Sequence, residues 1–284
     1  MSVAVFAIVL FAALLHASWN ALVKGAGDKL MAAILVAGGA AFIAIVTLPF
    51  LPPPAAASWP YLVTSSILQV LYLTLVARAY HVADMSQTYP LMRGTAPLLV
   101  ALASGLWLHE ALSAHALLGV GVICAGVLSM AWMGRRGGPD LTGGGATGTR
   151  LALLTAMVIA GYTLVDGHGV RLSGAPASYV LWGVLLNGLP LVAWALLARR
   201  RLFLQHVARQ WPRGLVGGAG TLVSYGLALW AMTVAPVAVI AALRESSILF
   251  GTAIAGLVLK EKVGPRRVAA ACLIAVGAMV LRLA

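Results

Sequence analysis

The sequence predicts an all-α integral membrane protein in which ten transmembrane helices form two inverted five-helix repeats. Composition is the first ground for this. Of 284 residues, 62% are hydrophobic and 9% charged, and mean hydropathy is +0.99; a soluble domain needs far more polar surface than that. The second ground is the spacing of apolar runs. Ten of them, near 3–24, 31–51, 59–81, 85–108, 112–133, 150–172, 176–198, 212–234, 236–259 and 264–283, each reach about the 20 residues that span a hydrocarbon core of about 30 Å. The third is an internal match: Arg93 to Glu110 reads RGTAPLLVALASGLWLHE and Arg244 to Glu261 reads RESSILFGTAIAGLVLKE, with Arg, three Leu, Gly and Glu in register. The 151-residue offset between Arg93 and Arg244 relates two halves of a chain rather than neighbours in a solenoid. Five spans per half is an odd number, which turns the second unit upside down relative to the first. The expected units are residues 1–133 and 150–284, joined by a Gly-rich flexible connector at 134–149.

A net charge of +12 would suggest nucleic acid in a soluble protein. Here its placement explains it, and no nucleic-acid partner is expected. Of the 19 Lys and Arg, fifteen lie in or beside the connections after spans one, three, five, seven and nine, and only Arg171 and Arg282 lie on the opposite side. That asymmetry puts the odd-numbered connections in the cytoplasm and both termini outside. The first span lacks a basic leader and runs into Trp19, Asn20 and Lys24 rather than a small-residue cleavage site, so it is expected to remain as a helix. Cys124 and Cys272 both fall within spans and read as small apolar packing residues.

In the first span, His16, Trp19 and Asn20 share one helical face. That face is either hydrogen-bonded packing or the lining of a cavity. The second span offers Gly38 and Gly39, and a Pro-rich stretch at 51–60 reads as a loop. Gln69 and Tyr72 follow in the third span, where an amide commonly bonds a neighbouring helix. In the fourth, Pro90 and Pro97 each remove an amide donor and predict a kink with freed carbonyls. Tyr89 and Arg93 lie on one face of it. A charge at the centre of a span costs roughly 2.5–3.5 kcal/mol on insertion scales, so Arg93 needs a partner, a wet cavity or a task.

The stretch HEALSAH at 109–115 resembles a zinc site only superficially. His109 and His115 are six apart, whereas zinc-binding histidines on one helical face are four apart. Hydrolase, P-loop and dinucleotide signatures are also missing, so no metal, cofactor or catalytic group is expected. The fifth span, with Gly119, Gly121 and Gly126, and the tenth, with Ala269, Ala270, Ala271 and Gly277, read as close-packing helices. The sixth places Tyr162 and Asp166 on one face, with Asp166 at the position of Asn20 when the halves are aligned. Trp182, Asn187, Pro190 and Trp194 mark the seventh. The run ARRRLFLQHVARQWPR at 198–213 is basic and amphipathic, a surface segment for anionic headgroups. GGAG at 217–220, Tyr225 and Trp230 mark the eighth. Tyr225 lies deep, either packed or facing a pocket.

The ninth span holds Arg244 and Glu245. At about 1.5 Å per residue, Arg93 and Arg244 each start about 12 Å from opposite surfaces and reach similar depth. Helix neighbours point about 100° apart, so Arg244 and Glu245 are not expected to satisfy each other. The expected contacts cross the halves, Glu245 with Arg93 or Arg244 with Asp166.

Four stretches, LLHASWNALVK, SQTYPLMRGTAPLL with its closing LHE, YTLVDGHGVR and LRESSILFGTAIAGLVLKE, resemble the signature stretches of the EamA family in the drug/metabolite transporter superfamily. The resemblance covers the whole chain as two tandem five-helix units. It implies a secondary transporter of small polar metabolites in a bacterial-type inner membrane, often an amino-acid exporter of the YddG type, working by alternating access. Exporters of that type have cytoplasmic termini, and the charge asymmetry here points the other way. The candidate substrate-binding residues are His16, Trp19, Asn20, Tyr89, Arg93, Tyr162, Asp166, Tyr225, Arg244 and Glu245. Arginine suits a substrate carboxylate through its two-pronged fork, Asp166 or Glu245 an ammonium group, and the aromatics an apolar side chain. Glu245 is either the carboxylate that couples transport to protons or a permanent tie to Arg93. A polyspecific drug/proton antiporter, and a lipid-active enzyme or scramblase, are the alternatives.

Overall fold

The computed structural model describes residues 1–133, 144–258, 260 and 264–283, and among them every regular element is helical. In order these are α1 (Val3–Lys24), α2 (Lys29–Thr47), α3 (Trp59–Val82), α4 (Met85–Trp107), α5 (Ala114–Met133), α6 (Gly144–Leu172), α7 (Pro176–Ala198), α8 (Arg200–Val234), α9 (Val237–Arg244), α10 (Ser247–Leu257) and α11 (Pro265–Leu283). Short 3₁₀ turns at Leu48–Phe50 and Ala56–Ser58 flank the Pro-rich loop. Local chemistry starts several helices. The Ser2 hydroxyl accepts from Val5 N at 3.3 Å and the Asp28 carboxylate from Met31 N at 3.0 Å, each satisfying an otherwise orphaned amide. Pro176 opens α7 in the first turn, where no amide donor is needed.

Among the described residues, eight helical stretches are long and apolar enough to cross a membrane. α4 and α11 match the fourth and tenth expected spans but are less apolar, α4 through Arg93 and its two prolines, α11 through Arg266, Arg267 and Arg282. Three boundaries differ from expectation. α8 begins at Arg200 rather than near 212, so the basic segment is the first part of the same helix. Residues 144–149 of the expected flexible connector already belong to α6, and 134–143 lie outside the described residues. The expected ninth span is two helices, α9 and α10, whereas α4 runs unbroken through Pro90 and Pro97. Glu261, the last residue of the sequence repeat, lies outside the described residues.

Inside a bilayer, helices are held by close approach more than by water exclusion. α5 and α11 meet this way: a methyl group at Gly277 would lie 2.6 Å from the Ile123 side chain, and one at Gly126 2.9 Å from Ile274. α2 and α8 meet more tightly still, since a methyl at Gly39 would lie 2.3 Å from the Gly214 carbonyl oxygen. Both pairs join the first half of the chain to the second. Cys124 is buried and Cys272 exposed, both free.

At one end of the bundle, loops of the two halves are tied directly. Ala55 N donates to the Ser173 carbonyl at 2.9 Å and the Ser178 hydroxyl to the Pro52 carbonyl at 2.6 Å. The other end carries Lys24, Lys29 and Arg199 to Arg201 and is called the basic end below.

Candidate functional site

The break between α9 and α10 organises the interior. Glu245 N donates to the Ala242 carbonyl at 3.0 Å and Ser246 N to the Leu243 carbonyl at 3.1 Å, bonds that span three residues instead of four. The Ser246 hydroxyl takes the same Leu243 carbonyl at 2.7 Å. Such a 3₁₀ turn inside a helix marks a hinge or a functional site, and a serine bonded back to the preceding turn favours the bend. The turn is deep: Val237 to Leu243 are all buried, and Glu245 is 4% exposed.

α4 packs along α9 and brings Arg93 to this turn. Arg93 Nε donates to Glu245 Oε2 at 3.0 Å and its terminal nitrogen lies 3.0 Å from Oε1. This is the two-pronged pairing that a guanidinium and a carboxylate make best. It realises the first of the two expected cross-half contacts.

The second expected contact takes another form. Among the described residues, no carboxylate lies within ion-pair distance of Arg244. Its guanidinium carbon sits 5.5 Å from the centre of the Tyr225 ring, a cation–π arrangement, and the Tyr225 hydroxyl donates to Asp166 Oδ2. Tyr179 donates to Asp166 Oδ1 at 3.1 Å. Asp166 is 3% exposed, among the described residues it forms no ion pair with Arg244, and its two oxygens each accept from a tyrosine hydroxyl. Gly169 makes this possible, because a methyl there would lie 2.4 Å from the Tyr179 hydroxyl.

Arg93, Pro97, Tyr162, Thr163, Arg244 and Glu245 line one small cavity of about 20 Å³, room for roughly one water. Four of the ten expected site residues therefore meet here, and Asp166 and Tyr225 join them behind Arg244. Tyr72 of α3 packs edge-on against Tyr162 with ring centres 5.9 Å apart. On α1, His16 and Trp19 stack edge to face at 5.3 Å, and Trp19 Nε1 is buried without a hydrogen-bond partner among the described residues. Asn20 follows one turn after His16 on the same helix. It is exposed, and its side-chain amide donates back to the His16 carbonyl at 2.7 Å. Tyr89 is half-buried one turn before Arg93.

Sequence reasoning did not find three features. Tyr179, which serves Asp166, had no signal beyond being a tyrosine near the start of a span. The Gln69 amide oxygen accepts from Asn187 at 3.2 Å while its nitrogen donates to Ser65 at 3.0 Å; the interhelical bond was foreseeable, its partner was not. The third is a second cross-half ion pair. Arg171 lies 2.6 Å from Glu110 Oε1 and donates to the Met232 and Ala235 carbonyls at 2.7 and 3.1 Å. Glu110 in turn accepts from Val237 N at 2.9 Å. The pair thus satisfies the last carbonyls of α8 and the first amide of α9. A signal existed: Arg171 is one of only two basic residues on the charge-poor side. Among the described residues, no group of His, Cys, Asp and Glu is placed to hold a metal ion.

The sequence profile of the EamA-like transporter family matches residues 146–283. No curated protein matches the chain. A protein of known crystal structure is similar over 98% of this chain and 95% of its own, with a TM-score of 0.74 and 18% identity, a likeness of fold alone.

Proposed function

The chain belongs to the EamA-like transporter family and is a multi-pass membrane transporter of small molecules; from that premise we propose that its substrates are zwitterionic metabolites, amino acids foremost, moved outward across a bacterial-type inner membrane by alternating access. The observation that carries this reading is the state of Arg244. Its fork faces the same cavity as the closed Arg93–Glu245 pair yet holds no carboxylate among the described residues. A substrate carboxylate supplies the missing acceptor, and Asp166 or Glu245 supplies the counter-charge for an ammonium group.

The proposed architecture is ten spans as two inverted units, 1–133 and 150–284 about a connector at 134–149, with the basic end in the cytoplasm. Arg93 and Arg244 occupy equivalent places in the sequence repeat and line one cavity, which supports a two-fold axis in the membrane plane with solute bound near the midplane. Glu245 is the proposed coupling carboxylate. In the state seen here it is paired with Arg93, and it exchanges a proton when that pair opens during transport.

A thermal-shift screen of the purified protein against amino acids, nucleosides, sugars and quaternary cations tests the substrate class, since a ligand that binds only the folded state raises apparent Tm. Amino acids are expected to raise it in the natural protein and not in Arg244→Ala. Stabilisation by quaternary cations with no response to zwitterions would replace this reading with a drug/proton antiporter.

A further inference from the structure

α8 is longer than a bilayer requires. Its 35 residues extend about 52 Å at about 1.5 Å per residue, while residues 214–234 alone cross a core of about 30 Å. The part before Gly214 holds Arg200, Arg201, His206, Arg209 and Arg213 and no acidic residue. It is anchored rather than free, because Phe203 is buried against Met31, Ile34 and Ala195. On its other faces Leu204 is 47% and Trp211 56% exposed, and Trp211 lies within one turn of the start of the crossing segment.

A cavity of about 290 Å³ lies between this part of α8, the end of α1 and the start of α2. Ala21, Leu22, Leu35 and Val36 give it an apolar wall, and His206, Gln210 and Arg213 a polar one. Arg213 donates to the Gln210 side-chain oxygen at 2.8 Å, and among the described residues no carboxylate lies within ion-pair distance of it. None of these residues lines the central cavity, so the transport reading leaves the groove without a task.

We propose that this groove binds one anionic phospholipid of the basic-side leaflet, with its phosphate on Arg213 of the groove wall and on the exposed Arg209 one helical turn before it, and an acyl chain along Leu22, Leu35 and Val36. The combination of walls selects the ligand. A soluble anion has no use for the apolar wall, a zwitterionic lipid gains little from two arginines, and a basic segment at the membrane surface concentrates anionic lipid beside it. Arginine stems can lie along the apolar wall while their heads reach the phosphate.

Native mass spectrometry of the full chain, titrated with phosphatidylglycerol or phosphatidylcholine, tests this. One phosphatidylglycerol is expected to stay bound where phosphatidylcholine does not. The double variant R209Q/R213Q is expected to bind it about thirtyfold more weakly, from about fivefold for each of the two surface arginines. Ala32→Phe, which fills the groove without touching charge, is expected to abolish retention, and retained helical circular dichroism verifies that either variant is folded. Arg78→Gln, on α3 away from the groove, is expected to change nothing. Equal retention of phosphatidylcholine, an equal loss in Arg78→Gln, retention unaffected by Ala32→Phe, or full competition by inorganic phosphate would each overturn the proposal.

Discussion

Arg93 and Arg244 stand at the same position of the two repeated stretches and are held in opposite ways. Arg93 is locked by two bonds to Glu245, while Arg244 rests on the face of Tyr225 with its fork unpaired by any described carboxylate. The difference starts one residue further on. Glu245 is matched in the first half by Gly94, where a methyl group would already lie 2.7 Å from the Leu128 side chain, so α4 presses on α5 and has no room for a carboxylate. The second half has that room because its helix tightens into the turn after Arg244. One carboxylate therefore serves two arginines at matching positions of the sequence repeat, and it pairs with the arginine of the other half. An ion pair closed within the protein contributes to holding it, whereas an arginine without such a pair is available to a ligand.

The largest expected effect follows from breaking the closed pair. Arg93→Ala leaves Glu245 buried without its partner, and loss of one partner of a buried pair costs about 3–5 kcal/mol. Thermal unfolding in detergent should show a steep fall in apparent Tm, partly recovered in the double variant R93A/E245A, which removes both members of the pair. A double variant as unstable as Arg93→Ala would mean that the pair is not what Arg93 contributes.

Arg244→Ala should invert that pattern. Only a cation–π contact of about 0.5–2 kcal/mol is lost, so Tm changes little, while uptake of a zwitterionic substrate into reconstituted vesicles falls by at least about tenfold, the value of one charge-assisted bond. If Tm falls as far as in Arg93→Ala, the two arginines are alike and the contrast disappears.

A smaller effect on transport is expected at the link between Arg244 and Asp166. Tyr225→Phe keeps the ring beneath Arg244 but removes a hydroxyl from a buried carboxylate, a loss of about 1.5–3 kcal/mol. Tyr179→Phe removes the other hydroxyl and leaves Arg244 untouched. Both should lower Tm by similar amounts, and only Tyr225→Phe should also change substrate affinity; equal affinity in the two variants would detach Asp166 from the binding site.

Glu245→Gln should have the least effect on substrate binding; it removes the charge opposite Arg93 but nearly preserves shape and still accepts a hydrogen bond from it, so Tm should fall less than in Arg93→Ala. It is expected to bind substrate and to lose the response of transport to a pH gradient. Gradient-driven transport that continues unchanged would leave Glu245 as a fixed tie alone.

The sequence by itself determined that the chain is helical and membrane-embedded, where its apolar runs lie and which charges sit deep within them. These are one-dimensional properties: segment length, apolar content and the position of Arg93, Asp166, Arg244 and Glu245 along a span. The repeat also brought Arg93 and Glu245 together in advance, because two groups at equal depth in opposed helices have few other partners. Pairing beyond that was decided only in the tertiary structure. That Asp166 takes hydroxyls from Tyr179 and Tyr225 depends on the rotation of three helices about their axes and on the space left by Gly169. That the proline-bearing α4 stays whole while α9 and α10 separate at a turn without proline depends on what each packs against, α5 at Gly94 and Arg93 at Glu245. The Arg171–Glu110 pair likewise required the last turn of α6 and the connection after α4 to meet where α8 ends and α9 begins. Helix propensity and hydropathy act within a segment, whereas each of these contacts is set by the few ångströms between segments.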